Sequence, residues 1–68
     1  MSHWCIYIIE KSGRYYTGIT TDLPNRLRQH GVSQTLYSED GLTREQAVKK
    51  EIEIKGWNRQ KKERLFRS

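Results

Sequence analysis

Cysteine, proline, phenylalanine and methionine each occur once in these 68 residues. The lone Cys5 has no partner for an internal disulfide, and together with His3 and His30 it falls short of a four-ligand zinc site. The usual staples of a very small fold are therefore missing. Long apolar runs are missing too. The longest, Cys5 to Ile9, is far below the roughly 20 residues that cross a bilayer, and Met1-Ser2-His3 does not open like a signal peptide. These absences predict a soluble, cytoplasmic protein with no membrane partner. There is no Gly-rich phosphate loop, no Gly-x-Ser-x-Gly elbow and no His-Glu-x-x-His helix, so those enzyme classes find no support and no small-molecule organic cofactor is expected. Five glycines and one proline are too few for a low-complexity disordered chain.

What remains is a small folded unit. The length fits one domain, residues 1–68, with no interdomain cleft. Apolar residues make up 34%, and a fold of this size hides only roughly 60% of the surface its unfolded chain exposes, so stability should be marginal. The net charge is +5, and its location matters more than its size. From Met1 to Ile54 the chain holds seven cations and seven anions, whereas Lys55, Arg59, Lys61, Lys62, Arg64 and Arg67 face only Glu63 in the remainder. A basic cluster of this kind is either a solvated tail that aids solubility or the footprint of a polyanion, whose released counterions favour each neutralised phosphate. On the second reading Lys55, Arg59, Lys61 and Lys62 are the candidate nucleic-acid-binding residues.

The pattern along the chain reads ββα then βαα. Trp4 to Glu10 is rich in β-formers and apolar on both faces, which predicts the middle strand of a sheet. Lys11 to Arg14 is a turn signal, and Tyr15 to Thr20 is the returning strand of a hairpin. Thr21 or Asp22 caps a helix with Pro24 in its first turn, running to His30 and stopped by Gly31, with Leu23 and Leu27 as its buried stripe. A short strand is expected near Thr35 to Ser38, followed by a polar turn through Gly41. Thr43 and Gln46 form a capping box for a second helix that runs to about Lys55 and ends at Gly56. Asn58 can cap a short basic helix carrying Leu65 and Phe66.

Three places break local rules, and such places tend to mark function. With about 100° per residue and Ala47 at zero, Ile54 falls near 340°, Val48 near 100°, Ile52 near 140° and Glu51 near 40°, inside the apolar stripe. A carboxylate aimed at a core is costly unless paired or bound to a cation. It predicts either an ion pair with Arg26 or Lys55, or a ligand to a hard cation such as Mg²⁺, which often takes one or two carboxylates and fills its shell with water and phosphate. The second place is a tyrosine pair. If Ser12-Gly13 is a two-residue loop, Tyr7 lies opposite Gly18 and Ile9 opposite Tyr16, so Tyr7 and Tyr16 leave one sheet face as diagonal neighbours. They either share one substrate or are simply good strand residues. Gly18 would leave space beside Tyr7 for a close-approaching ligand. The third place is the edge of the first helix, where Arg26 and His30 are four residues apart. They are either ordinary surface residues or a phosphate grip and a proton carrier.

Cys5-Ile6-Tyr7, Tyr16-Thr17-Gly18, Arg26-x-x-x-His30 and Ala47-x-x-x-Glu51-x-x-Ile54-Lys55 occur in an order that resembles the GIY-YIG endonuclease domain. The stretches Tyr16 to Leu23 and Lys55 to Glu63 look like its small stand-alone bacterial members, and the likeness spans nearly the whole chain. What the resemblance implies is an α+β fold, a small three-stranded antiparallel sheet flanked by helices, here with a shortened connection into the third strand, Gly31 to Thr35. It implies a metal-dependent endonuclease that hydrolyses DNA phosphodiester bonds in repair or recombination, with Mg²⁺ or Mn²⁺ as cofactor. By the family's pattern Tyr7 acts as base or activates the attacking water, and Tyr16 places the scissile phosphate. Arg26 stabilises phosphate charge, His30 assists proton transfer, and Glu51 holds the metal. Nothing here resembles a base-reading helix or finger, so the reading is structure-directed rather than sequence-directed. The alternative reading is a GIY-YIG-like nucleic-acid-binding module with little or no catalysis. The asparagine that many members carry well after the metal glutamate has only Asn58 as a counterpart, which is better explained as a helix cap. Oligomeric state is not legible.

Overall fold

The computed structural model describes residues 3–67. Met1, Ser2 and Ser68 lie outside the described residues, so the reading of the first residues and the outer bounds of the single domain reach beyond it. The order is β1 (Trp4–Lys11), β2 (Arg14–Thr20), α1 (Leu23–His30), β3 (Tyr37–Leu42), α2 (Arg44–Lys55) and α3 (Arg59–Glu63). The three strands form one antiparallel sheet in the order β2-β1-β3. β1 is central, as its two apolar faces require, and its Ile6, Ile8 and Ile9 are fully buried. Burying each contributes about 1.5–3 kcal/mol.

The hairpin loop is Ser12-Gly13, with φ of 54° and 77°. Two successive positive φ values match the right-handed twist of the flanking strands and fix an even register. Tyr7 accordingly pairs with Gly18, Ile9 with Tyr16 and Lys11 with Arg14. That register sorts the side chains. Ile6 and Ile8 point to one face, where they pack with Leu42, Ala47 and Ile54 under α2. Tyr7 and Ile9 leave the opposite face together with Tyr16 and Gly18.

Asp22 rather than Thr21 caps α1, its carboxylate accepting from the Asn25 amide at 3.3 Å. Gly31, φ 78°, ends the helix, with its own N–H donated to Arg28 and the Val32 N–H donated to Leu27, both at 3.1 Å. This left-handed stop needs glycine and leaves His30 as the last helical residue. α1 has no fully buried residue; Leu23 and Leu27 are half-buried rather than a core stripe.

The third strand lies further along than Thr35 to Ser38, and its polar stretch is strand rather than turn. Ile8 pairs with Tyr37, Tyr7 with Ser38, Ile6 with Glu39, and then Trp4 with Leu42 across a register shift. β3 therefore carries one extra residue, a bulge, at which Gly41 takes φ 73°. Glu39 is satisfied by the Tyr37 hydroxyl and by Lys50, each at 3.1 Å, which is why a charged residue is tolerated there.

The capping box at Thr43 and Gln46 is formed in both directions, at 3.0 and 3.1 Å. α2 buries Ala47 and Ile54, whereas Ile52 is 67% exposed. The buried arc is narrower than the apolar positions suggest, and Ile52, about 140° round from Ala47, falls outside it. Asn58 caps α3 by accepting from the Lys61 amide at 2.8 Å. Among the described residues no helix is long and apolar enough to cross a membrane.

Candidate active site

The strands aim two tyrosines from one sheet face, and a short helix brings a histidine to them. Tyr7 sits in the middle of the central strand and is 3% exposed, whereas Tyr16, on the outer strand, is 43% exposed. The Tyr7 ring lies on the backbone of Gly18: a Cβ built on that glycine would come within 2.5 Å of the hydroxyl and 2.7 Å of Cζ. The space that Gly18 leaves is thus taken by Tyr7's own phenol and not by an open ligand channel. The α1 stop at Gly31 places His30 against the same phenol, with Nε2 3.1 Å from the hydroxyl and the rings edge to face at 6.0 Å. When the imidazole is neutral at Nε2, the phenol donates to it. When the phenol is ionised, an Nε2–H donates back. One contact can therefore carry a proton in either direction.

Burial pushes the Tyr7 phenol above its ordinary pKa, because a phenolate would be stripped of water; the Arg26 charge opposes this, and the Glu51 and Cys5 charges add to it. Arg26 and Glu51, 25 positions apart in sequence, thus act on one phenol with opposite sign. Arg26 is exposed on α1, one turn before His30. Glu51 is half-buried on α2, its side chain 22% exposed, and its carboxylate lies 3.5 Å from Lys55 Nζ. Of the two ion pairs foreseen for it, the one with Lys55 forms. Among the described residues no three His, Cys, Asp or Glu side chains cluster to hold a metal. A single accessible carboxylate does not make a closed protein cage. It does fit Mg²⁺, which dehydrates reluctantly and is commonly held by one or two carboxylates together with substrate phosphate.

Of the four cations assigned to nucleic acid, Lys55 stands beside the site's carboxylate, whereas Arg59, Lys61 and Lys62 lie on α3. Lys55 pairs with Glu51. Arg59 stacks 4.0 Å over the Tyr15 ring, donates to the Gly13 carbonyl at 3.0 Å and pairs with Glu10 and Glu63 at 3.5 Å. Lys61 lies 4.6 Å over the Trp57 ring, and Lys62 is the next residue of α3. Tyr15 alternates with Tyr16 and so points to the opposite face, where α3 is bound. Sequence reasoning missed this latch. The Tyr15 hydroxyl donates to Glu63 at 2.6 Å across 48 positions, and no local pattern announces such a pairing. The hydrogen bond from Tyr15, with Arg67 and Arg59 nearby, holds the Glu63 carboxyl below its ordinary range.

Comparison with known proteins gives a consistent set. The family model described as the GIY-YIG catalytic domain matches residues 3–35. The UPF0213 protein plu4503 of Photorhabdus laumondii is 34% identical over 77 positions, covering 94% of this chain and 74% of that protein. The UPF0213 protein SSP2268 of Staphylococcus saprophyticus is 36% identical over 74 positions, covering 90% of each. Both alignments are longer than this chain, so these relatives carry residues within the shared stretch that have no counterpart here. The solution NMR structure of the UPF0213 protein BH0048 from Bacillus halodurans superposes with a TM-score of 0.60 at 30% identity, covering 96% of this chain and 82% of that one.

Proposed function

The chain belongs to the GIY-YIG family, alongside its small UPF0213 relatives, and from that premise we propose that it is a metal-dependent endonuclease acting on the phosphodiester backbone of DNA. The observation that carries the reading is the Tyr7 hydroxyl held 3.1 Å from His30 Nε2 and subject to opposed charges from Arg26 and Glu51. In this mechanism Tyr7 removes a proton from the attacking water as it passes its own phenolic proton to His30. A phenol ordinarily holds its proton about 5 kcal/mol more tightly than an imidazole, so the hand-over needs help from positive charge. Arg26 supplies part of it and grips a phosphate oxygen with paired donors. Tyr16, exposed beside the buried Tyr7, positions the scissile phosphate. Glu51 would hold the divalent ion, which when bound supplies the charge that stabilises the pentavalent phosphate and its leaving oxygen. Lys55 would leave Glu51 at that moment and be free for phosphate.

The cations of α3, Arg59, Lys61 and Lys62, act in this reading through the long-range field that draws a polyanion to the molecule. Nothing in the sequence resembles a base-reading helix or finger, so substrates would be chosen by structure, as in repair or recombination, within one domain of residues 1–68 in the cytoplasm. The test is incubation with supercoiled, branched and flapped DNA with and without Mg²⁺ or Mn²⁺. Tyr7→Phe and Glu51→Gln should abolish nicking while binding survives. Undiminished nicking by both variants removes the mechanism. Lys55 standing 3.5 Å from Glu51 favours a second reading, a binding module whose metal position is filled by its own ammonium. That reading requires DNA affinity that falls steeply with salt and no metal-dependent nicking at any protein excess.

A further inference from the structure

The hairpin that orders the two tyrosines also sets two cations against each other. Lys11 and Arg14 are directly cross-strand, and register places them on the face of Tyr7, Ile9 and Tyr16. Like charges in that relation destabilise an antiparallel pair. Both residues are exposed, and among the described residues neither takes part in an ion pair. The neighbouring acid, Glu10, gives no relief, because strand alternation turns it to the opposite face, where Arg59 pairs with it at 3.5 Å. The fold thus keeps two uncompensated cations at the end of the tyrosine face, while on α3 Arg59 and Lys61 are engaged with Tyr15, Glu10, Glu63 and Trp57.

Resting on the nuclease reading, we propose that Lys11 and Arg14 form a phosphate clamp that holds the sugar-phosphate backbone of the cleaved strand on one side of the scissile linkage. At about 3.3 Å of rise per residue, Lys11 stands about 13 Å along β1 from Tyr7, and Arg14 about 7 Å along β2 from Tyr16. One strand of B-form DNA rises about 3.4 Å per nucleotide along its axis, and its phosphates stand further apart than that, so the clamped phosphate lies within about four linkages of the cut. A bound phosphate between the two side chains turns a repulsive pair into a bridged one. It also gives the Arg14 guanidinium a bidentate partner. Because the contact is to backbone alone, it fixes direction and register on the strand without reading sequence.

The test compares DNA affinity across a salt series for the native chain, Lys11→Gln, Arg14→Gln, the double variant, and a control of equal charge loss, Arg44→Gln/Lys49→Gln on α2. Each hairpin substitution should weaken binding about fivefold at 0.15 M salt and lower the salt slope by about 0.9, with the control changing little. Lys11→Arg should keep the native slope. Melting temperatures should hold or rise in the hairpin variants, since a repulsion is relieved. Neutral methylphosphonates placed one at a time over the first four linkages on that side of the cut should at one position weaken the native chain and leave the double variant unaffected. A hairpin double variant that matches the control, in a chain that still binds and nicks DNA, overturns the clamp alone. A native chain that neither binds nor nicks DNA overturns the nuclease reading and the clamp with it.

Discussion

The phenol of Tyr7 fills the place where a side chain of Gly18 would begin, so that a Cβ on that glycine would stand 2.5 Å from the hydroxyl, 2.7 Å from Cζ and 3.2 Å from Cε1. His30 closes the other side of the hydroxyl at 3.1 Å. Gly18 is therefore part of what positions the proposed base, although it has no side chain to take part. Replacing a strand glycine by alanine should by itself stabilise by about 0.5–1 kcal/mol. Forcing a methyl group into a packed site costs about 1–3 kcal/mol, so the clash wins and Gly18→Ala should melt at lower denaturant. The ring must also leave His30, and nicking should fall by at least about 100-fold, the lower end of what a positioned acid-base group contributes. Native nicking rates in Gly18→Ala would show that the Tyr7 geometry is not the one used.

Burial holds the Tyr7 phenol above its ordinary pKa of about 10, with Arg26 pulling against that and Glu51 adding to it. Less than about one part in a thousand is ionised at pH 7 before substrate binds. If deprotonation precedes chemistry, kcat/KM should rise about tenfold per pH unit from pH 6 to 9. Arg26→Gln should move the whole profile to higher pH, because the lowering charge is removed. The stability sign is separate: a raised folded pKa leaves this contribution intact below about pH 10 and removes it as pH rises through the folded value. A profile flat from pH 6 to 9 in both proteins would rule out a phenolate formed before the chemistry and leave the concerted hand-over to His30.

The hairpin and its consequences were legible because each rested on local chemistry. Ser12-Gly13 tolerates the positive φ of a two-residue loop, and that parity alone puts Tyr7 and Tyr16 on one face and Tyr15 on the other. The caps at Asp22, Thr43 and Asn58 likewise declare themselves within four residues. The bounds of β3 are not legible because Glu39-Asp40-Gly41 has the composition of a turn; what makes it a strand is the bulge at Gly41 and the reach of Lys50 from another element. Ile52 belongs to the apolar arc by angle, yet α2 meets the sheet over a narrower front centred on Ala47 and Ile54. The convergence of His30 on Tyr7 spans 23 positions and that of Glu63 on Tyr15 spans 48, distances at which periodicity carries no information.

Arg59 holds α3 to the hairpin by several weak contacts at once. It stacks on Tyr15, donates to the Gly13 carbonyl and pairs with Glu10 and Glu63. Exposed ion pairs contribute little singly, about 0–1 kcal/mol, and an exposed cation–π contact about 0.5–1 kcal/mol. Arg59→Ala should therefore lower stability by about 1–2 kcal/mol in denaturant titration. Arg59→Lys should recover less than half, since an ammonium lacks the planar fork that both stacks and donates. Full recovery by lysine would mean that charge alone matters here.

Glu63 gathers Tyr15, Arg59 and Arg67 around one carboxylate, and the Tyr15 hydrogen bond is the largest reason its pKa is lowered. A lowered folded pKa contributes stability that is present above the unfolded value of about 4.3 and is lost as pH falls through the folded value. Glu39 behaves alike, held down by Lys50 first and then by Tyr37. The chain should therefore lose stability on acidification below about pH 4, while little changes between pH 5 and 8 from these two groups. Glu63→Gln keeps an acceptor for Tyr15 but removes the charge, so its denaturant midpoint should be lower at pH 7 and fall less steeply below pH 4. The two curves should converge in acid, where the native carboxyl is protonated as well. If they stay parallel down to pH 2, Glu63 is not a source of the acid sensitivity, and the hold of α3 on the hairpin rests on Tyr15, Phe66 and Arg59 without it.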